Sequence, residues 1–378
     1  MIKRLILISI IALCLFSCAF SSDTEQEEPK DNGTKTETPT TQTPAGGNPP
    51  PSSGSTNQNP PSVQPVPPVT LGIFTDEEVP VSDEGVTGRG FKMYKHIMED
   101  GGELLYLLKV PQEYETKTDQ NWPVLLHLHA MGGGGQVEYL CGLFDMFWDI
   151  KRDLNNGDDA FIIIPRDYTN ESAASLYLSL KNVFRMDRTR LYLTGMSMGG
   201  SGSFNVANYL YAHHGISFAA ISRCSGNKLD DNIDYEGLSR NVIWMHVGGN
   251  DGTRGVVDGG PVYKSDFSYD QLKAVLVPQG AIETKELHVS PMARDTLGVT
   301  GPFVVEGESY NSYTVNLMDK PNWSSGIFDP LYAQVRTLSI AGKPRVIQSV
   351  YYYDCGHDAF AMRVNNYLSW LFSQRLEE

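Results

Sequence analysis

The chain has 378 residues, with 45 acidic against 30 basic side chains, a formal net charge of −15 and a pI near 5.0. That balance argues against a nucleic-acid partner, which favours a basic face, and five cysteines in this length exclude a cystine-stapled scaffold. The chain begins with the basic Met1-Ile-Lys-Arg4, an apolar run from Leu5 to Phe16 and the sequence Leu15-Phe-Ser-Cys18, which matches a lipoprotein signal-peptidase site. The apolar run is too short for a permanent membrane span, so residues 1–17 read as an export signal that takes Cys14 with it. Cys18 is then the expected lipidated first residue of the mature chain. Residues 18–68 hold Ser, Thr, Pro, Gly, Asn and acidic residues with almost nothing apolar to bury, which predicts an extended, disordered tether. Residues 69–378 suffice for one large α/β domain with a substantial core.

Within that domain, apolar runs rich in strand formers alternate with helical periodicity. Strands are expected at Leu104–Val110, Val124–His129, Ala160–Ile164, Arg190–Thr194, Phe218–Ser222, Val242–Val247 and Val346–Tyr353. Helices are expected at Ala173–Phe184 and Ser203–Ala212, and again around Trp370 and Leu371. Such alternation indicates a mostly parallel, doubly wound sheet with helices on both faces. Its ligands would bind at the carboxyl ends of the strands.

The chemistry centres on Gly195-Met196-Ser197-Met198-Gly199, between a predicted strand and a predicted helix. A turn that sharp needs small residues beside the serine, and it would push the Ser197 hydroxyl out above a helix N-terminus. A serine needs a base, an orienting acid and an oxyanion hole. His357, in the Gly-His loop after the strand ending at Tyr353, is the base candidate. Asp251, at the end of the Gly-rich loop after Val242–Val247, is the acid candidate. Asp354 and Asp358 flank His357 and rival Asp251, but lie too close in sequence to reach the imidazole easily from the correct side. Cys355 could be mistaken for a nucleophile, but it lies in a loop while Ser197 has the elbow. For the oxyanion, the run of four glycines after His129-Ala-Met131 points to the backbone N–H groups of Met131 and Met198.

Trp122-Pro-Val-Leu-Leu-His-Leu-His129, Asp187-Arg-Thr-Arg-Leu-Tyr-Leu-Thr-Gly-Met-Ser-Met-Gly-Gly200 and Phe218-Ala-Ala-Ile-Ser-Arg-Cys-Ser-Gly226 together resemble one family. It comprises bacterial esterases of the α/β-hydrolase superfamily, grouping with polyhydroxybutyrate-depolymerase-like, feruloyl and acetyl-xylan esterases, some labelled predicted peptidases. The resemblance runs from about Gly101 to the end. It implies an α/β-hydrolase fold with Ser197 as nucleophile, Asp251 as acid and His357 as base. A serine, histidine and aspartate of this kind cleave carboxylic esters without a cofactor. The envelope location and the aromatic-rich insertion between Asp251 and His357 make acetyl or feruloyl groups on plant polysaccharide the preferred substrate. The acidic run Asp23 to Glu28 is similar to surface-export signals of Bacteroidetes-type lipoproteins, so the expected location is the bacterial cell envelope, held to the membrane by lipid.

Two departures stand out. Ala130 replaces the usual glycine of His-Gly, and about a hundred residues separate Asp251 from His357, roughly twice what the family pattern needs. The excess, about 253–343, contains Tyr263, Tyr310, Tyr313, Trp323, Phe328 and Tyr332. It reads either as a cap or wall offering aromatic faces to a sugar or phenolic substrate, or as a surface elaboration with its own small apolar cluster. Two alternatives to an esterase follow: a serine peptidase, because amides use the same machinery, and a non-catalytic surface binding lipoprotein on a hydrolase scaffold. His127 and His129 alternate on one strand without a third ligand, so they read as structural and no metal is expected. His246 reads as a core residue and His213-His214 as a helix end.

Overall fold

The computed structural model describes residues 71–81, 90–130, 159–226, 232–249, 251, 255–257, 260–262, 264–298, 300–305, 307–315, 331–342, 346–353, 356–357 and 367–377. The expected signal, Cys18 and the tether lie outside them, and so do Met131, Cys141, Cys355, Asp354 and Asp358. Among the described residues no helix is long and apolar enough to cross a membrane.

The strands are β1 (Glu77–Val79), β2 (Phe91–Ile97), β3 (Glu103–Lys109), β4 (Trp122–Leu128), β5 (Phe161–Pro165), β6 (Met186–Met196), β7 (Ala220–Cys224) and β8 (Val242–Gly248). They continue as β9 (Gly255–Val257), β10 (Gly260–Val262), β11 (Ile282–Val289), β12 (Phe303–Val305), β13 (Glu308–Tyr310), β14 (Tyr313–Val315), β15 (Tyr332–Ser339) and β16 (Val346–Tyr352). Twelve of them form one sheet in the order β1-β2-β3-β5-β4-β6-β7-β8-β16-β15-β11-β14. The block β5-β4-β6-β7-β8-β16 is parallel throughout, and antiparallel pairs flank it on both sides.

Side chains on the central strands alternate between two cores, which explains their nearly continuous apolar sequence. On β5, Ile162 and Ile164 face one core while Phe161 and Ile163 face the other. Helices α1 (Asn170–Val183), α2 (Met198–His214), α3 (Tyr235–Leu238) and α4 (Lys264–Leu276) follow in chain order, then α5 (Pro291–Leu297) and α6 (Tyr367–Ser373). Leu176 and Leu180 of α1, Phe204 and Leu210 of α2, and Leu272 of α4 all fill the core on one face. On the other, α6 buries Tyr367, Leu371 and Phe372. The architecture is therefore the doubly wound α/β sheet that the alternation predicts. Helix α1 starts three residues before the expected Ala173 because Thr169 and Ser172 cap each other: Ser172 N–H donates to Thr169 Oγ1 (3.1 Å) and Thr169 N–H to Ser172 Oγ (2.8 Å).

In the segment 253–343, α4 packs into the main core, while β15, β11 and β14 widen the sheet beyond β16. Strand β11 begins Ile-Glu-Thr-Lys-Glu, with its first five residues exposed, so it lacks the apolar run by which a strand is recognised. Beyond it, Leu287, Val289, Ala293, Phe303, Val305 and Tyr310 gather with Tyr353 of the main chain in a small core of their own. The described part of the segment matches the elaboration with its own cluster. Tyr310 is no free aromatic face for a substrate, because it is buried there. Tyr313 donates its hydroxyl to the Gly298 carbonyl at 2.6 Å, and Tyr332 packs against the same cluster. Tyr263, Trp323 and Phe328 lie outside the described side chains.

Leu287 is fully buried in this extension. We expect Leu287→Ala to lower unfolding stability by about 2–5 kcal/mol in urea titration. A loss below about 0.5 kcal/mol would mark the extension as a loose surface appendage.

Candidate active site

The site begins where β6 turns into α2. Ser197 sits at that turn with φ 56° and ψ −116°, a left-handed conformation that a non-glycine residue adopts only when its surroundings force it. The force is close packing. A Cβ on Gly199 would lie 1.9 Å from the Leu128 carbonyl oxygen of β4, and one on Gly195 would lie 2.1 Å from the Gly199 carbonyl oxygen. Both positions therefore require glycine, which is the physical content of the Gly-X-Ser-X-Gly pattern. Ser197 N–H donates to the Cys224 carbonyl at 2.9 Å, which ties the turn to β7. Although Ser197 is the N-cap of α2, its hydroxyl makes no capping bond. Met198 follows as the first helical residue, and its N–H belongs to the helix-end donors that have no intrahelical acceptor.

Two neighbouring parallel strands deliver the other groups. Gly248 of β8 lies opposite Tyr352 of β16, so the loops leaving these strands emerge side by side. After β8 the chain turns tightly, Asp251 N–H donating to the Gly248 carbonyl at 3.1 Å. The Asp251 carboxylate is completely buried. His357 Nδ1 lies 2.9 Å from Asp251 Oδ1, and His357 Nε2 lies 2.8 Å from Ser197 Oγ. An ionised carboxylate only accepts hydrogen bonds, so Nδ1 carries the proton and donates it to Asp251. Nε2 is left with its lone pair facing the serine hydroxyl, which donates. The imidazole is about one-third exposed, so solvent reaches the site from the histidine side.

Of the expected residues, Ser197, Asp251 and His357 are thus brought together, and Met198 lies at the helix N-terminus beside them. Met131 lies outside the described residues.

The other histidines are held elsewhere. His127 is buried on β4 with Nδ1 2.9 Å from Thr194 Oγ1, and burial pushes it down to about 3, helped by the charge of His129. His129 donates from Nδ1 to the Ala130 carbonyl at 2.7 Å, and burial lowers its pKa as well. His246 lies stacked on Trp244 with ring centroids 4.9 Å apart, and burial takes it down to about 3. His213 and His214 occupy the last turn of α2, which Gly215 closes in a left-handed conformation. Among the described residues no group of three or more His, Cys, Asp or Glu could hold a metal ion.

Sequence reasoning missed Arg223, an arginine wholly buried on β7. Its guanidinium donates to the Gly226 carbonyl at 2.8 Å and lies 5.2 Å from the Phe204 ring centre, while burial lowers it to about 10. It braces the loop next to Cys224, the residue whose carbonyl holds Ser197. A lone charge inside the apolar run Phe218-Ala-Ala-Ile-Ser-Arg223 was the signal.

A serine at a strained turn between β6 and α2, a buried carboxylate after β8 and a histidine after β16, on a mostly parallel sheet with helices on both faces, match the α/β-hydrolase fold. No protein-family model matches the chain, and no curated protein matches it. Among solved structures, a thermostable esterase is similar at 21% identity and a TM-score of 0.40, with 49% of this chain covering 52% of that one. A ferulic acid esterase is similar at 16% identity and a TM-score of 0.36, covering 50% of this chain and 86% of that one. An acetyl xylan esterase from Aspergillus awamori is similar at 13% identity and a TM-score of 0.40, covering 79% of this chain and all of that one. The chain thus spans about half the length of the thermostable esterase.

The buried histidines set an acid limit on stability. His127 and His246 titrate near 3 in the folded protein against 6.5 when free, so the unfolded chain binds more protons between those values. The stability that these two histidines contribute by staying neutral is therefore fully present above about pH 6.5 and is lost as the pH drops towards 3. We expect His127→Gln to flatten that decline, measured as urea midpoint against pH. An unchanged slope would mean that His127 does not contribute to it.

Proposed function

We propose that the protein is a serine hydrolase that cleaves carboxylic esters through an acyl-enzyme. The observation that carries this reading is the continuous hydrogen-bonded chain from Asp251 through His357 to Ser197, with bonds of 2.9 and 2.8 Å. His357 Nε2 takes the Oγ proton as Ser197 attacks the ester carbonyl carbon, and the buried Asp251 stabilises the imidazolium that results. The Met198 N–H, together with that of Met131, holds the oxyanion of the tetrahedral intermediate. The imidazolium then protonates the leaving alkoxide. Water, deprotonated by the same nitrogen, then attacks the acyl carbon; the acyl–Oγ bond breaks, Ser197 Oγ takes the proton back from the imidazolium, and the acid leaves. No metal or organic cofactor takes part in these steps.

The sequence resemblance supports acetyl or feruloyl esters of polysaccharide as the substrate class. The signal at 1–17 and Cys18 support a lipid-anchored protein of the bacterial cell envelope. A purely binding role has less support, because it has no need for His357 within hydrogen-bond reach of Ser197 in a solvent-accessible site.

Hydrolysis of short-chain p-nitrophenyl esters and labelling by a fluorophosphonate test the reading together. We expect Ser197→Ala to abolish labelling and to lower kcat by roughly 10⁴-fold or more, with Asp251→Asn losing about 10⁴-fold through the wrong imidazole tautomer. A domain that neither hydrolyses nor labels would overturn it. For the anchor, Cys18→Ser is expected to abolish palmitate incorporation and release the protein from the membrane fraction; continued incorporation would refute lipidation at that residue.

A further inference from the structure

The sheet extension meets the site at one residue. Tyr353 directly follows β16 and stands four positions before His357. Its side chain is buried in the extension's small core. Its hydroxyl lies 2.8 Å from the hydroxyl of Tyr310, on β13. Gln334, on β15, donates from Nε2 to both phenol oxygens, at 2.9 Å to Tyr310 and 3.3 Å to Tyr353. Side chains from β13, β15 and the residue after β16 thus satisfy one another, with both phenols buried, and losing any one would strand the others at a cost.

The backbone of Tyr353 faces the other way, towards the acid loop. A Cβ on Gly249 would lie 2.2 Å from the Tyr353 carbonyl oxygen, so the two chains touch with no room for a side chain. Gly249 N–H donates to the Tyr352 carbonyl at 2.6 Å, and Tyr353 N–H donates to the Tyr332 carbonyl at 3.2 Å. One residue therefore joins the extension, the loop that ends in Asp251 and the loop that carries His357. Apolar packing alone is non-directional and would let this junction slide. Hydrogen bonds of defined length and angle resist sliding.

We propose that Tyr310, Gln334 and Tyr353 form a positioning device through which the sheet extension sets the reach of His357 to Ser197. The inference rests on the reading of His357 as the catalytic base. It gives the long segment between acid and histidine a role in the reaction without any contact to substrate. A displacement of about 1 Å at such a site costs roughly 100-fold in rate, so removing one hydroxyl is enough to test it.

Tyr310→Phe, Tyr353→Phe and the double variant would be compared with Val289→Ala, which loosens the same small core at a position whose cross-strand partners are Tyr332 and Val315, outside the hydroxyl cluster. The measurements are kcat and KM on a p-nitrophenyl ester, thermal midpoint, and the downfield proton resonance of the His357 Nδ1–H bonded to Asp251. Each tyrosine variant is expected to lower kcat by about 10- to 100-fold with little change in KM, and to shift or broaden the resonance. The double variant should lose little more than either single one, because both break the same unit. Val289→Ala should lower the midpoint while leaving kcat and the resonance nearly unchanged. The proposal is overturned if the tyrosine variants leave kcat and the resonance unaltered, or if all variants lose activity in proportion to their midpoints. Should the intact protein fail to hydrolyse or label, the esterase reading falls, whereas the resonance still reports whether the cluster positions His357.

Discussion

Everything at this site depends on how closely α2 approaches the sheet. At Gly199 the helix backbone comes so near to β4 that even a methyl group would lie 1.9 Å from a carbonyl oxygen. Only that approach lets the chain reverse within one residue and leave Ser197 at φ 56°. The strain is sustained by what surrounds it: the Cys224 carbonyl on the Ser197 N–H, Arg223 behind that loop and the buried strands on either side. In return, the hydroxyl is relieved of the capping duty that an N-cap serine normally performs, and is available to a histidine.

The same economy of contacts explains the histidine side. Strands β8 and β16 are parallel neighbours with Gly248 opposite Tyr352, so their loops leave the sheet at the same edge. That register brings together Asp251 and His357, which are 106 positions apart in the chain. The sheet does not stop at β16. The antiparallel β15 and β11 continue it, and the core beyond them reaches back to Tyr353. An addition that begins as a wider sheet therefore ends against the root of the histidine loop.

Burial separates histidines with similar sequence surroundings. His127 and His246 are enclosed on the central strands, where burial disfavours the charged form and keeps them neutral. His357 stands in a loop, in contact with solvent on one side and a carboxylate on the other. A histidine can sit on an apolar strand or in a loop that follows one. Only the second leaves the ring partly open to solvent and beside a serine.

The sequence by itself determined the central parallel strands, because burial on both faces demands apolar runs such as Phe161 to Ile164. It determined the elbow too, because the close approach at Gly195 and Gly199 admits no other residue. The choice of Ser197, Asp251 and His357 was legible from loops that follow such strands. The tertiary structure decided what local pattern could not carry. Strand β11 was hidden by its charged first half, and the Tyr310, Gln334 and Tyr353 cluster by separations of 19 to 43 positions. Whether Tyr310 faces a substrate or a core depends on which strand pairs beside β16, and that pairing is a long-range contact that no window of sequence contains.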